Sequence, residues 1–135
     1  MKRYILILTA LLATAAVANA QDKQKINKKN LVIKEWNTSG KTSTQVLDHT
    51  TTYNAEGRKI EEIEYTPEGV KWRKRFEYNA AGKVSKELVY DRNNRLQNYK
   101  VIEYNEFGRK KIQYTYDAKG KLLVTKVFEY IAEDA

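Results

Sequence analysis

Between its turn-like segments the chain alternates with period two. Trp72, Lys74, Phe76 and Tyr78 share one parity, as do Val84, Lys86, Leu88 and Tyr90, and later Leu122, Val124, Lys126, Phe128 and Tyr130. Alternating runs rich in Val, Ile, Tyr, Phe and Thr predict β-strands. The runs are separated by YNAEGR, YTPEGV, YNAAGK, YDRNNR, YNEFGR and YDAKGK. The tyrosines that open them, Tyr53, Tyr65, Tyr78, Tyr90, Tyr104 and Tyr116, lead on to Tyr130 in steps of 12, 13, 12, 14, 12 and 14 residues. Every second unit matches best, as in FEYNAAGK against IEYNEFGR, so a double unit of 25 to 26 residues underlies the array. Internal repetition at this scale marks an array built from one supersecondary element.

The Asn/Asp-x-x-Gly segments predict a type I turn followed by a left-handed residue, a common hairpin connection. Gly57, Gly69, Gly82, Gly108 and Gly120 supply that residue, and Asn94 takes its place in the fourth unit. Asparagine is among the few residues that tolerate positive φ. The expected fold is therefore all-β: an antiparallel meander of tandem hairpins with about seven or eight strands between roughly Thr42 and Tyr130. Leu31 to Trp36 is a candidate first strand. A solenoid with one double unit per coil is the alternative, and the tight turns argue against it.

Extending the turn pairing without interruption gives a trial register. Asn79 meets Lys83, Asp91 meets Arg95, Asn105 meets Arg109 and Asp117 meets Lys121. One face then sets Arg75 against Glu87, Glu103 against Lys111 and Arg109 against Glu129. With Glu68-Gly69 as the centre of the Pro67 hairpin, Glu64 faces Arg73 and Glu62 faces Arg75. Such opposite-charge pairs favour an antiparallel sheet. The other face sets Tyr78 against Val84, Trp72 against Tyr90, Ile102 against Val84 and Ile112, and Tyr114 against Val124. It also sets Lys86 against Lys100, with Lys74 diagonal to Lys86, and like charges in that position cost stability. Trp72, Phe76, Val84, Leu88, Leu96, Ile102, Ile112, Leu122, Val124 and Phe128 would share this face, more apolar surface than a soluble monomer leaves open. Curling of the sheet, the Leu31–Ile33 segment, or a second copy would cover it.

Composition places this array in a cellular setting. Lys2 and Arg3, an apolar stretch from Ile5 to Val17, and Ala18-Asn19-Ala20 read as a signal peptide with an A-x-A cleavage site over residues 1–20. An uncleaved anchor is the alternative. Cleavage after Ala20 leaves a polar, Lys-rich arm over residues 21–30, expected to be flexible, and a repeat domain over residues 31–135. The chain has no cysteine, so no disulfide and no lipidated cysteine are expected. Loss of Lys2 and Arg3 takes 25 basic residues to 23 against 17 acidic ones, a surplus of +6. For a periplasmic or secreted protein, acidic glycans, lipid headgroups or acidic proteins are better partners for that charge than nucleic acid. No further apolar segment predicts a membrane span.

The Tyr-Asn/Asp-x-x-Gly-Arg/Lys units, over roughly Tyr53 to Tyr130, resemble the YD repeats of Rhs-type and teneurin-like surface and toxin proteins. They are also similar to small exported bacterial domains of unknown function built from a few such units (the DUF3836-like group). In the large members many repeats wrap into a shell around a toxin, and six or seven units are too few for that. The resemblance implies carbohydrate binding or surface contact, and it brings no catalytic residues.

Nothing in the chain points to catalysis, a metal or a cofactor. His49 is the one histidine and sits in a Thr-rich stretch. Asp91 and Asp117 open turns, where such side chains bond the turn backbone. No nucleophile–base pair or metal-ligand spacing occurs. The sharper signal is aromatic and cationic. Trp72, Lys74, Lys86, Tyr90, Lys100, Tyr104, Tyr114 and Tyr116 would stand on the apolar face, where rings stack on sugars and cations meet acidic groups. The plainer reading is lysine stems lying along apolar surface and tyrosines kept for packing. The expectation is a non-enzymatic binding module for an acidic glycan or other envelope polyanion. The alternative is a structural or assembly protein that engages other protein chains, a second copy in a homodimer included, through its apolar face or sheet edges.

Overall fold

The computed structural model describes residues 26–133, Ser39 and Thr42 apart. The expected signal peptide and cleavage site, and residues 21–25 of the arm, lie outside the described residues. The chain forms one eight-stranded antiparallel meander in sequence order: β1 (Val32–Thr38), β2 (Gln45–Tyr53), β3 (Lys59–Thr66), β4 (Gly69–Tyr78), β5 (Val84–Tyr90), β6 (Leu96–Tyr104), β7 (Lys110–Asp117) and β8 (Leu122–Val127). Each strand touches only its sequence neighbours, so the sheet neither closes into a barrel nor coils as a solenoid. No described helix is long and apolar enough to cross a membrane.

The turns follow the sequence closely. In the β4–β5 hairpin Asn79 N donates to Lys83 O at 2.9 Å and Gly82 N donates to Asn79 O at 3.0 Å. Asn79 Oδ1 accepts from Ala81 N and Lys83 N, both at 3.0 Å. Asn54, Asp91, Asn105 and Asp117 repeat this arrangement. Gly82 stands at φ 79° and Asn94 at φ 62°, both left-handed as expected. The β3–β4 turn differs: Thr66 pairs with Gly69, which makes Pro67-Glu68 the loop centre instead of Glu68-Gly69.

The ladders depart from the trial register by one residue. Tyr78 faces Val84 as expected, but Glu77 then faces Lys86, leaving Ser85 as an extra residue. The same bulge falls just past the other five turns from β2 to β8, at Ile60, Lys71, Gln97, Lys111 and Leu123. β2 carries one at Asp48. A one-residue shift exchanges the faces of everything beyond it. Arg75 therefore faces Leu88 and Glu61 rather than Glu87 and Glu62, and Glu103 faces Ile112 rather than Lys111. Glu64 faces Trp72, Arg73 faces Ile63 and Tyr90, Ile102 faces Gln113, and Tyr114 faces Thr125 and Val101. The expected Lys86–Lys100 opposition does not exist: Lys86 faces Glu77 and Val101, and Lys100 faces Glu87 and Thr115. Lys74 faces Glu62 and Val89. The bulges thus remove the like-charge pair and replace the expected opposite-charge pairs with three others, Glu62–Lys74, Glu77–Lys86 and Glu87–Lys100, which antiparallel neighbours favour.

Directly opposed residues share a face and successive residues alternate. Following the ladders places Trp72, Phe76, Val84, Ile102 and Val124 on one face, termed face A. Leu88, Leu96, Ile112 and Leu122 lie on the other, face B. The apolar set expected on one surface is divided between two. Among the described residues only Ile102 is a buried hydrophobic, at 5% exposure. The Leu31–Ile33 segment covers neither face, because it runs into β1 at the sheet edge.

The double repeat has a structural cause: two strands return the chain to the same edge and the same face. Tyr53, Tyr78 and Tyr104 end β2, β4 and β6 on face A, while Tyr65, Tyr90 and Tyr116 end or nearly end β3, β5 and β7 on face B at the opposite edge. On face A the phenols reach across to a bulge. Tyr78 Oη donates to Lys59 O at 2.6 Å, Tyr104 Oη to Val84 O at 2.6 Å, and Tyr130 Oη to Lys110 O at 2.8 Å. Each acceptor immediately precedes a bulge residue, where the ladder leaves backbone polar groups to be satisfied otherwise. Residues 28–31 add a turn at the first edge: Asn30 N donates to Asn54 O at 2.9 Å, and Lys28 Nζ lies 5.4 Å from the centre of the Tyr53 ring.

Candidate binding surface

The eight residues expected to form one site fall into two groups. Trp72, Lys74, Lys100 and Tyr104 lie on face A, and Lys86, Tyr90, Tyr114 and Tyr116 lie on face B. On face A two of the members, Trp72 and Lys74, meet each other and Tyr104 is engaged elsewhere. His49, a β2 residue, meets Trp72 edge-on at 6.0 Å between centroids, and Lys74 Nζ lies 5.0 Å from the Trp72 ring centre. Tyr104 is occupied by its bulge hydrogen bond, and burial followed by the Glu87 carboxylate raises its pKa above the ordinary tyrosine value. Burial likewise raises that of Tyr78, against the opposing pull of Lys59 and Arg58.

Face B brings three of its members, Lys86, Tyr114 and Tyr116, together around Tyr99. The ladder sets Leu88, Tyr99, Tyr116 and Leu122 in one row, and Lys86, Val101, Tyr114 and Thr125 in the next. Tyr99 and Tyr116 stack with centroids 5.0 Å apart and 18° between planes, and Tyr114 leans on Tyr116 at 6.3 Å. Lys86 Nζ sits 4.9 Å from the Tyr99 ring centre. At the neighbouring hairpins Arg73 lies 4.4 Å from the Tyr90 ring centre. Its Nη1 donates to Glu61 Oε2 at 3.2 Å and its Nη2 to Asn94 Oδ1 at 2.7 Å. The result is an open strip of half-buried rings with two cations lying over rings, Lys86 over Tyr99 and Arg73 over Tyr90, a surface able to stack against flat or ring-shaped ligands.

Two members of this strip, Tyr99 and Arg73, escape a reading keyed to the repeat. Tyr99 is off the repeat position, five residues before Tyr104. Its signal was aromatic enrichment alone. Arg73 sits in the KWRKR run, whose alternation across both faces hid which basic residue meets a ring.

A shallow open depression of about 270 Å³ is lined by Asn37, Val46, Asp48, Tyr65 and Pro67, among others. Among the described residues no group of three or more His, Asp or Glu is placed to hold a metal.

Comparison with known proteins gives no family. No family model matches the chain, and no curated protein matches it. A crystal structure of a GtfA/B complex bound to UDP and GlcNAc matches with a TM-score of 0.30 and 13% identity, over 68% of this chain and 19% of the other. The chain thus spans about a fifth of that protein's length. A likeness of this size carries no argument about function.

Proposed function

We propose that the chain is a non-enzymatic, exported binding module of YD-type repeats, and that face B takes an acidic glycan or similar envelope polyanion. The observation behind this reading is the Tyr99–Tyr116 stack, with Lys86 over Tyr99, on a face that no other described element covers. Sugar rings present C–H faces to aromatic planes, and a neighbouring ammonium meets a carboxylate or sulfate. Lys74, Lys100, Trp72 and Tyr104, on the other face, are outside this site.

The test is binding of the purified chain to neutral and acidic glycans at low and high salt. Acidic glycans should bind selectively, less at high salt, and Tyr99→Ala, Tyr116→Ala and Lys86→Glu should each weaken binding while far-UV circular dichroism stays unchanged. Absence of binding to every glycan at low salt removes this reading.

A further inference from the structure

The two ends of the sheet repeat the sequences of two strands that pair in its middle. Lys126–Tyr130 reads KVFEY, and Lys74–Tyr78 in β4 reads KRFEY. Leu31–Trp36, running into β1, reads LVIKEW, and Lys83–Leu88, running into β5, reads KVSKEL. Within the sheet these central segments meet as Glu77 with Lys86, Phe76 with Glu87, Arg75 with Leu88 and Lys74 with Val89.

The likeness extends beyond the letters. Tyr130 donates to the carbonyl of Lys110 as Tyr78 donates to that of Lys59. Arg109 lies 5.7 Å from the Tyr130 ring centre and Arg58 lies 5.6 Å from that of Tyr78. Lys110 approaches Phe128 at 5.8 Å where Lys59 approaches Phe76 at 4.7 Å. The last strand is therefore set up on its inner side as β4 is, yet among the described residues nothing pairs with its outer side. The outer side of β1 is open in the same way. Both edges expose apolar side chains, with Val127 at 70% and Trp36 at 42%. An edge of this kind, carrying few charges, is a template for pairing.

We infer that the outer edge of β8, extended through Phe128 and Glu129, which follow it along β7, pairs antiparallel with the outer edge of β1 of a second copy, in the register of the β4–β5 ladder. Glu129 then faces Lys34, Phe128 faces Glu35, Val127 faces Trp36 and Lys126 faces Asn37. The ladder is consistent on both faces. Glu129, Lys34, Val127 and Trp36 continue face B, and Phe128, Glu35, Lys126 and Asn37 continue face A. Glu129–Lys34 repeats Glu77–Lys86 in charge as well as position. Because the two edges differ, the contact runs head to tail and leaves an unused edge at each end, so copies join in an open row. This inference stands on the edges and goes beyond the reading of face B.

Sedimentation of the whole chain over a range of concentrations, with Glu129→Lys and Lys34→Glu, tests it. Wild-type protein should associate with rising concentration. Either single substitution sets like charges opposite and should weaken association roughly tenfold. The double variant should recover it, and so should a mixture of the two single variants, because each supplies the charge the other lacks. Both positions are exposed, and far-UV circular dichroism checks that the variants stay folded. A chain that stays monomeric at all concentrations overturns the inference. So does association that the single variants leave unchanged, which would move the contact to a sheet face or to residues 1–25. Glycan binding by face B is read separately, so failure of one leaves the other standing.

Discussion

The hydroxyl of Tyr78 donates to the carbonyl oxygen of Lys59 at 2.6 Å, one residue before the bulge at Ile60. Tyr104 does the same for Val84 ahead of the bulge at Ser85. The repeated tyrosine is thus tied to the repeated irregularity beside the turn. A half-buried carbonyl that loses its donor costs about 1 kcal/mol. Tyr78→Phe and Tyr104→Phe should each lower stability by about that much in urea titrations. Tyr130→Phe, with a longer bond at an exposed position, should cost less. No loss at Tyr78 or Tyr104 would show that the ring, and not the hydroxyl, carries the stabilisation.

The same two phenols predict an alkaline weakness. Burial raises both pKa values in the folded chain. The folded state therefore keeps these protons to higher pH than the unfolded chain does. Their contribution is fully present below the ordinary tyrosine value of about 10, and it is lost as pH rises through the folded-state values. The informative comparison is with the Tyr78→Phe/Tyr104→Phe variant. Urea midpoints at about pH 8 and about pH 11 should fall further for wild type than for this variant.

Asn94 does two things at once. It stands at φ 62° and accepts from Arg73 Nη2 at 2.7 Å. Alanine would lose the bond and add a left-handed backbone cost of about 1–2 kcal/mol. Glycine would lose the bond and relieve the backbone. Thermal melts should rank wild type and Asn94→Gly close together, with Asn94→Ala well below. An Asn94→Ala melt matching that of Asn94→Gly would mean that the turn tolerates alanine at this φ.

Arg73 joins three hairpins through Glu61, Tyr90 and Asn94. Lysine keeps the charge but lacks the planar fork that serves two acceptors and a ring together. Arg73→Lys should cost about 1–2 kcal/mol by chemical denaturation. In an Asn94→Gly background the cost should shrink, because one acceptor is already gone. Strictly additive losses would mean that Arg73 and Asn94 act independently.

Turn chemistry was legible in the chain, down to the positive φ at Asn94. Strand positions and the meander were legible too, because alternation and turn residues agree at every unit except the Pro67 turn, whose loop centre lies one residue earlier than expected. The division of side chains between faces was not. It depends on Ile60, Lys71, Ser85, Gln97, Lys111 and Leu123, six bulge residues of no common type. One signal was available: the uninterrupted register opposed Lys86 to Lys100, and a shift of one residue brings Glu77 to Lys86 and Glu87 to Lys100. A like-charge clash in an otherwise consistent pattern was evidence for the bulge. Read as a binding feature instead, it merged two half-sites on opposite surfaces into one.

Since each strand contacts only those before and after it, cohesion in this chain is one-dimensional. Stability in such an array approximates a sum of nearest-neighbour terms. Opening should then begin at β1 and β8 and travel inward like a zipper, with amide protons exchanging in order of distance from the ends and β6, which holds Ile102, among the last to yield. Deleting a terminal strand would shorten the ribbon without dissolving it, and adding a double unit would lengthen it by a fixed increment.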